Sequence, residues 1–179
     1  KIYNKSELTP EAFVKTEDWK NACSEERQYY LTTLNKKNFY NFLYITETGD
    51  VLFSAKNEII LGANIFTGSY SKTKLAKTTL KAIENQREYF SDLEVFDPSL
   101  GEISGFFILP HFSDNTKLKG VFALQISIEG LNDMIQLQSG YGETGQAYII
   151  GKDLYLRSAQ RSGNESDILT KKISNVKTL

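Results

Sequence analysis

The chain has 179 residues and the composition of a single globular domain. Its 21 Lys and Arg residues balance 22 Asp and Glu residues to a net charge of −1, which excludes the basic footprint of a nucleic-acid-binding protein. The single cysteine, Cys23, excludes an internal disulfide, and the single histidine, His111, excludes a zinc site built from two or three histidines.

The first predicted element is helical and covers residues 9–36. It opens with Thr-Pro-Glu at 9–11, which supplies an N-cap, a proline at the first helical position and an acid in the first turn. Apolar residues follow at loosely helical spacing, and Ser-Glu-Glu at 24–26 resembles a second cap. The pattern predicts either one long helix or two helices joined by a bend.

Beyond residue 38 the spacing of the apolar residues shifts towards the alternation of β-strands. Runs rich in aromatic and β-branched residues predict strands, and the turns between them contain Gly, Pro, Asp or Asn. A lysine-rich amphipathic segment at 71–86 and an apolar segment at 128–138 predict helices. The predicted strands are 39–46, 51–54, 89–96, 102–112, 118–127, 146–150 and 155–158.

This order of elements predicts an α+β fold. Strands joined by short turns favour an antiparallel sheet, and helices at the ends and on one face favour segregated layers. A sheet of about five antiparallel strands flanked by a long N-terminal helix is the PAS-like arrangement. We divide the chain into an N-terminal helical region at 1–38, a sheet module at 39–138 and a C-terminal segment with a strand pair at 139–179.

Motifs that could carry catalysis are weak. A Gly-x-Gly-x-x-Gly motif occupies residues 140–145, but it follows a predicted helix and precedes a strand, the reverse of a dinucleotide site. His111 has no sequence partner that marks it as a general base. The acids Asp92, Glu94 and Asp97 could bind a hard cation, but no calcium-loop pattern surrounds them. We therefore predict no catalytic residue, no metal site and no cofactor.

The aromatic residues point instead to a binding pocket. The 102–112 strand is apolar on both faces, with Phe106 and Ile108 on one face and Phe107 and Leu109 on the other. One face can pack helices, whereas the other needs a cover. The irregular segment 57–70, which contains Gly62 and Gly68, could close over that face and form a pocket.

Several segments match, in order, those of a known family. They are Phe42–Thr46 with Gly49–Val51, Leu61–Ile65 with Gly68–Tyr70, Phe90–Glu94 with Asp97–Ser99, Gly120–Gln125, and Gly140–Gly151 with Leu156–Ser158. Together they resemble the extracytoplasmic Cache (PDC, PAS-like) sensor domains of bacterial chemoreceptors, sensor histidine kinases and diguanylate cyclases. The last segment resembles the family's junction into a membrane-proximal module, which would begin within 139–179.

The resemblance implies a function. It makes the chain the periplasmic ligand-sensing domain of a bacterial inner-membrane receptor, in the first place a methyl-accepting chemotaxis protein. It implies no enzymatic activity, a small-molecule ligand or a ligand-loaded binding protein as partner, and a homodimer formed through the N-terminal helix. Membrane contact would come only from segments outside this chain, because no apolar run here approaches 18 residues.

The same resemblance implies the site residues, which we expect between the sheet and the 57–70 segment. Tyr70 would be the lid; Asp92 and Glu94 would supply polar contacts, and Lys74 would meet an anionic group. The expected pocket walls are Tyr44, Phe53, Phe96 and Phe107. Amino-acid-binding members carry Arg-Trp-Tyr in this loop; here it reads Gly68-Ser69-Tyr70, so we do not expect an α-amino acid ligand.

Other functions also fit this sequence. The chain could be the sensor domain of a histidine kinase or of a diguanylate cyclase. It could be a purely structural PAS-like dimerisation module whose aromatic residues are all core. An exported hydrolase that uses Asp92, Glu94 or Asp97 with His111 is the enzyme alternative.

Overall fold

Two helices precede the sheet. The computed structural model describes residues 7–113, 117–136, 145–161 and 163–174. Helix α1 spans Pro10–Phe13 and helix α2 spans Glu17–Lys36. The Thr9 and Thr16 hydroxyls cap these helices by accepting hydrogen bonds from the backbone amides of Ala12 and Trp19, respectively. The second helix therefore begins at Glu17, because Thr16 supplies its cap, and Ser24–Glu26 lies inside it.

The sheet has six strands in the order β2-β1-β6-β5-β3, with β4 also paired to β5. The pairs β1–β2, β1–β6, β3–β5 and β4–β5 are antiparallel. This confirms the predicted α+β architecture with an antiparallel sheet. The strand bounds are β1 Asn41–Thr46, β2 Val51–Ser54, β3 Tyr89–Phe90, β4 Glu94–Phe96, β5 Glu102–Ser113 and β6 Lys117–Ser127.

The predicted strand over 89–96 is broken in the middle. Asp92 adopts a left-handed backbone conformation with φ of 59°, which interrupts the pleat between β3 and β4. Ser91 bridges the break: its amide donates to the Phe106 carbonyl, and its hydroxyl accepts the Phe106 amide at 2.9 Å. Both short strands consequently stay paired to β5.

The remaining helices are α3, Lys74–Asn85, and α4, Ile128–Gln136. The chain divides into two compact units, Lys1–Ile126 and Ser127–Leu179. The division predicted after residue 138, and most of the Gly-x-Gly-x-x-Gly motif, fall outside the described residues. In the second unit the predicted strands 146–150 and 155–158 reduce to isolated bridges, Ile150 with Leu156 and Tyr155 with Lys172. Within the described part of the chain, no helix is both long and apolar enough to cross a membrane.

One face of the sheet is covered by α3 and by the segment that follows β2. We call its apolar cluster the loop-side core. It contains Leu43 and Ile45 of β1 and Phe106 and Ile108 of β5, all fully buried. The covering residues that pack on them include Ile60, Ile65 and Leu75, and Phe96 of β4 belongs to the same cluster. The 57–70 segment therefore covers a face of the sheet, but it shares that face with α3, and its Ile60 and Ile65 pack there as core.

The opposite face is covered over β1 and β2 by the two N-terminal helices. We call this second apolar cluster the helix-side cluster. Trp19 and Leu34 of the helices pack there with Leu52 and Phe53. The Trp19 indole N–H also donates to the Leu52 carbonyl at 3.0 Å, which fixes α2 to the sheet. Strand β1 contributes alternate residues to both faces, because successive strand side chains point to opposite sides.

Candidate functional site

A polar cluster interrupts the loop-side face of the sheet at one end. We call it the Gln125 cluster; its members are Tyr40, Asn41, Ser54, Glu58, Ser99, Ser104 and Gln125. Asn41 and Gln125 face each other on the neighbouring strands β1 and β6. Both are completely buried, as is Ser104. Buried polar side chains of this kind need partners, because desolvation without a hydrogen bond is costly.

The Gln125 side chain is only half satisfied. Its Nε2 donates to the hydroxyls of Ser99 and Ser104, each at 2.9 Å. Its Oε1 is buried and has no hydrogen-bond partner among the described residues. An orphan carbonyl oxygen in a residue with no exposed surface costs about 1–3 kcal/mol. The atom of this cluster that lacks a partner is therefore a hydrogen-bond acceptor.

Asn41, by contrast, is fully satisfied. Its Nδ2 donates to Ser54 Oγ at 3.1 Å and to Glu58 Oε2 at 2.8 Å. Its Oδ1 accepts hydrogen bonds from the backbone amides of Phe42 and Lys56, at 2.8 and 3.1 Å. These bonds tie the end of β1 to the start of the segment that covers the loop-side face. Asn41 thus links the sheet to its cover.

Tyr40 borders the cluster and has both carboxylates and an ammonium nearby. Burial raises the pKa of its phenol above the ordinary value, and the neighbouring Glu58 carboxylate raises it further. The Lys56 ammonium lies 3.4 Å from the centroid of the Tyr40 ring, a cation–π contact. The phenol is consequently held in its neutral form.

This shift predicts a pH dependence of stability. Above the unfolded pKa of about 10 the unfolded chain loses the phenol proton while the folded chain keeps it, so stability falls as pH rises. We expect Tyr40→Phe to flatten the decrease in unfolding free energy between about pH 9 and 11. Urea titrations at several pH values across that range measure the free energy of unfolding of each variant. The exposed Tyr29→Phe control should keep the wild-type slope; equal slopes for Tyr40→Phe and wild type would contradict the prediction.

Two of the predicted site residues lie on the loop-side face. Phe96 is fully buried and packs edge-on against Phe106, with ring centroids 4.9 Å apart. Tyr70 ends a short 3-10 turn at Gly68–Tyr70 and packs, partly buried, against the loop-side core. Both residues therefore belong to the region where the sequence placed the site, and their role as ligand contacts stays a prediction.

Three predicted wall residues lie on the opposite face. Phe53 is buried in the helix-side cluster, and Tyr44 packs at its border. Phe107 is 41% exposed and contacts Phe90. Strand alternation explains why Phe107 does not lie on the loop-side face: its neighbour Phe106 points to that face, so Phe107 points to the other. These three side chains and the Tyr70–Phe96 pair are not brought together in one site.

The predicted polar contacts bind one another at the start of α3. Lys74 Nζ donates to Asp92 Oδ2 at 3.0 Å and to the Leu93 carbonyl at 2.7 Å. The two Glu94 carboxylate oxygens accept hydrogen bonds from the backbone amides of Lys74 and Leu75, at 2.7 and 2.9 Å. Glu94 thus satisfies two open N–H groups of the helix and complements its dipole. Lys74, Asp92 and Glu94 lie close together and are engaged in these bonds, and their role as ligand contacts stays a prediction.

We expect Glu94→Ala to lower the free energy of unfolding by about 1–2 kcal/mol, the effect of losing a helix N-cap. The reason is that two amides of α3 lose their charged acceptor. Urea denaturation followed by circular dichroism measures the change. Glu84→Ala, an exposed acid near the other end of α3, is the matched control and should change stability little. Equal effects of the two substitutions would show that Glu94 is not acting as a cap.

Sequence reasoning missed the Gln125 cluster. A signal was present: Asn41, Ser104 and Gln125 stand in phase with the buried apolar residues of their strands, where a polar residue needs an explanation. In the sequence, Gly120–Gln125 stood out only by its resemblance to a segment of the sensor-domain family. Which face of β6 is covered was not evident from a strand whose two faces are both apolar.

His111 sits among aromatic rings on the helix-side face. Its ring lies 4.8 Å from that of Phe122 and 5.7 Å from that of Tyr44. Its Nδ1 is buried without a hydrogen-bond partner among the described residues. Within that described part of the chain, no three or more His, Cys, Asp or Glu side chains form a group that could hold a metal ion.

Comparison with known proteins identifies the fold. No protein-family model matches the sequence, and the curated proteins contain no match. Among solved structures, the ligand-binding domain of the Campylobacter jejuni chemoreceptor Tlp3 in complex with 4-methylisoleucine is similar over 96% of this chain, with a TM-score of 0.58 and 15% identity. The extracellular domain of the putative histidine kinase mmHK1S-Z3 is similar over 92%, with a TM-score of 0.52 and 11% identity.

These similarities establish the fold that the sequence indicated. The chain has the architecture of the extracellular sensor domains of chemoreceptors and histidine kinases. It covers 60% of the length of the Tlp3 domain and 64% of the kinase domain. The matching residues are too few to transfer a ligand or a partner from either protein.

Proposed function

We propose that the chain is a ligand-sensing extracytoplasmic domain of a membrane receptor, in the first place a chemoreceptor, and that it binds rather than catalyses. The observation that carries the proposal is the buried Oε1 of Gln125, which has no hydrogen-bond partner among the described residues. The shared fold supports it, since the Tlp3 domain was solved with a small organic molecule bound. A histidine kinase or a diguanylate cyclase sensor is the alternative within the same function.

The fold offers a route from this site to the N-terminal helix. Asn41 begins β1 in the Gln125 cluster, and the next residue, Phe42, stacks on Tyr30 of α2 with ring centroids 4.3 Å apart. Movement of β1 on ligand binding would therefore reach α2 directly. In the proposed receptor, α2 pairs with its copy in a homodimer and passes the change towards the membrane. Such a mechanism requires two arrangements of α2 with different ligand affinities.

A thermal-shift screen tests the function. The panel consists of amino acids, organic acids, amines, sugars, purines and divalent metals. A ligand at about 100 times its dissociation constant should raise the unfolding free energy by about 2.7 kcal/mol, which is several degrees for a chain of this size. Gln125→Leu should remove the response. Thr79→Val is the matched control, because it removes another buried polar atom, a hydroxyl without a hydrogen-bond partner among the described residues, but lies in α3 outside the cluster.

A structural dimerisation module is the second candidate. The full burial of Ile60, Ile65 and Leu75 favours it, because these residues pack the covered face tightly. The same screen separates the two functions. A response that requires Gln125 supports sensing, whereas the absence of any Gln125-dependent response across the panel would favour the structural module.

A further inference from the structure

The Gln125 cluster also constrains the chemistry of its ligand. Every side-chain N–H of Gln125 and Asn41 already has a protein acceptor: Ser99 and Ser104 for Gln125, and Ser54 and Glu58 for Asn41. A carboxylate only accepts hydrogen bonds, so it would find none of these amide donors free. The unfilled position is an oxygen, which requires a donor.

The charges around the cluster also favour a hydrogen-bond donor over a carboxylate as the ligand group. The Glu58 carboxylate is part of it, and the charges of Glu58 and Glu102 both act to raise the pKa of Tyr40. The nearby cation, Lys56, is placed over the Tyr40 ring. Proteins generally hold carboxylate ligands with the paired N–H groups of arginine. None of the described members of the Gln125 cluster is an arginine.

We infer that the Gln125 cluster binds a small amine whose ammonium group donates a hydrogen bond to Gln125 Oε1, and that it discriminates against carboxylates. This inference rests on the proposed sensing function and names the ligand class of the same site. A cation is favoured there because it satisfies the orphan oxygen and is attracted by the neighbouring carboxylates. A ligand that carries both an ammonium and a carboxylate would lose part of this gain.

Three probes of equal carbon chain length test the ligand class: butylamine, butyrate and 4-aminobutyrate. The whole chain is titrated with each at constant pH and ionic strength, and the midpoint of thermal unfolding and the heat of binding are measured. We expect butylamine to raise the midpoint in a concentration-dependent manner, 4-aminobutyrate to act more weakly, and butyrate to have no effect.

Variants of the cluster make the test specific. Gln125→Leu should weaken butylamine binding by about tenfold or more, because it removes the acceptor. Gln125→Glu should strengthen it, because a carboxylate accepts from an ammonium more strongly than an amide does. Circular dichroism establishes that each variant is folded, and Thr79→Val should bind butylamine as the wild type does. The Gln125→Glu variant keeps the test informative if Gln125→Leu does not fold.

Several outcomes would overturn the inference. They are stabilisation by butyrate equal to that by butylamine, a butylamine response that survives in Gln125→Leu, and no response to any of the three probes. In each case a Gln125-dependent ligand of another class, found in the wider screen, would leave the sensing function standing. The absence of any such ligand would remove both proposals, so the two failures are distinguishable.

Discussion

Phe106→Ala should lower the free energy of unfolding by about 3–5 kcal/mol. Phe106 has no exposed surface and fills the loop-side core between the sheet and its cover. Its ring packs edge-on against Phe96, so truncation removes an aromatic contact as well as buried area. Urea unfolding followed by the fluorescence of Trp19, the single tryptophan, measures the loss in the first unit.

The next residue in the same strand provides the control. Phe107 has the same side chain but is 41% exposed on the other face. We expect Phe107→Ala to cost markedly less than Phe106→Ala, because much of its surface already contacts water. If Phe107→Ala were the more destabilising of the two, the assignment of faces would be wrong, and with it the placement of the Gln125 cluster.

Truncation of Trp19 should be comparably severe. Trp19→Ala is expected to lower the unfolding free energy by about 3–5 kcal/mol, because the indole is 6% exposed and anchors α2 on the helix-side cluster. Its N–H is also the hydrogen-bond donor to the Leu52 carbonyl. Circular dichroism during urea unfolding measures the change without relying on the lost fluorophore.

Two further variants separate the contributions of Trp19. Trp19→Phe keeps most of the apolar contact but removes the indole N–H, so the cost should fall to about 1–3 kcal/mol, that of one unpaired buried carbonyl. Tyr29→Ala on the same helix should be nearly neutral, since Tyr29 is 67% exposed. A Trp19→Ala variant as stable as Tyr29→Ala would show that α2 is not held by this contact.

Local chemistry determined most of the secondary structure from the sequence. Thr9-Pro10 marks the start of the first helix, and the alternation of aromatic and β-branched residues gave the central strands to within a few residues. Turn residues such as Gly49 and Asp97-Pro98 separated them. The order of these elements sufficed for the α+β class and the antiparallel sheet, because short connections leave few other topologies.

The break at Asp92 was not visible in the sequence. A run of strand-forming residues covers 89–96, yet Asp92 turns left-handed and Ser91 bridges to Phe106. The position of Glu94 on the α3 amides likewise depends on residues twenty positions apart meeting in space. Such hydrogen bonds join residues that are far apart in the sequence, so no local pattern predicts them.

The candidate site was decided by tertiary structure alone. Alternation shows that Phe106 and Phe107 lie on opposite faces of β5, but both faces are apolar, and the pattern does not say which one the 57–70 segment covers. Packing places Phe106 beneath the cover and Phe107 in solvent. It also places Gln125 opposite Asn41 in a buried cluster, where no described residue donates a hydrogen bond to Gln125 Oε1. The sequence by itself determined the elements and the fold class, whereas only the folded chain determined which polar groups meet and what they lack.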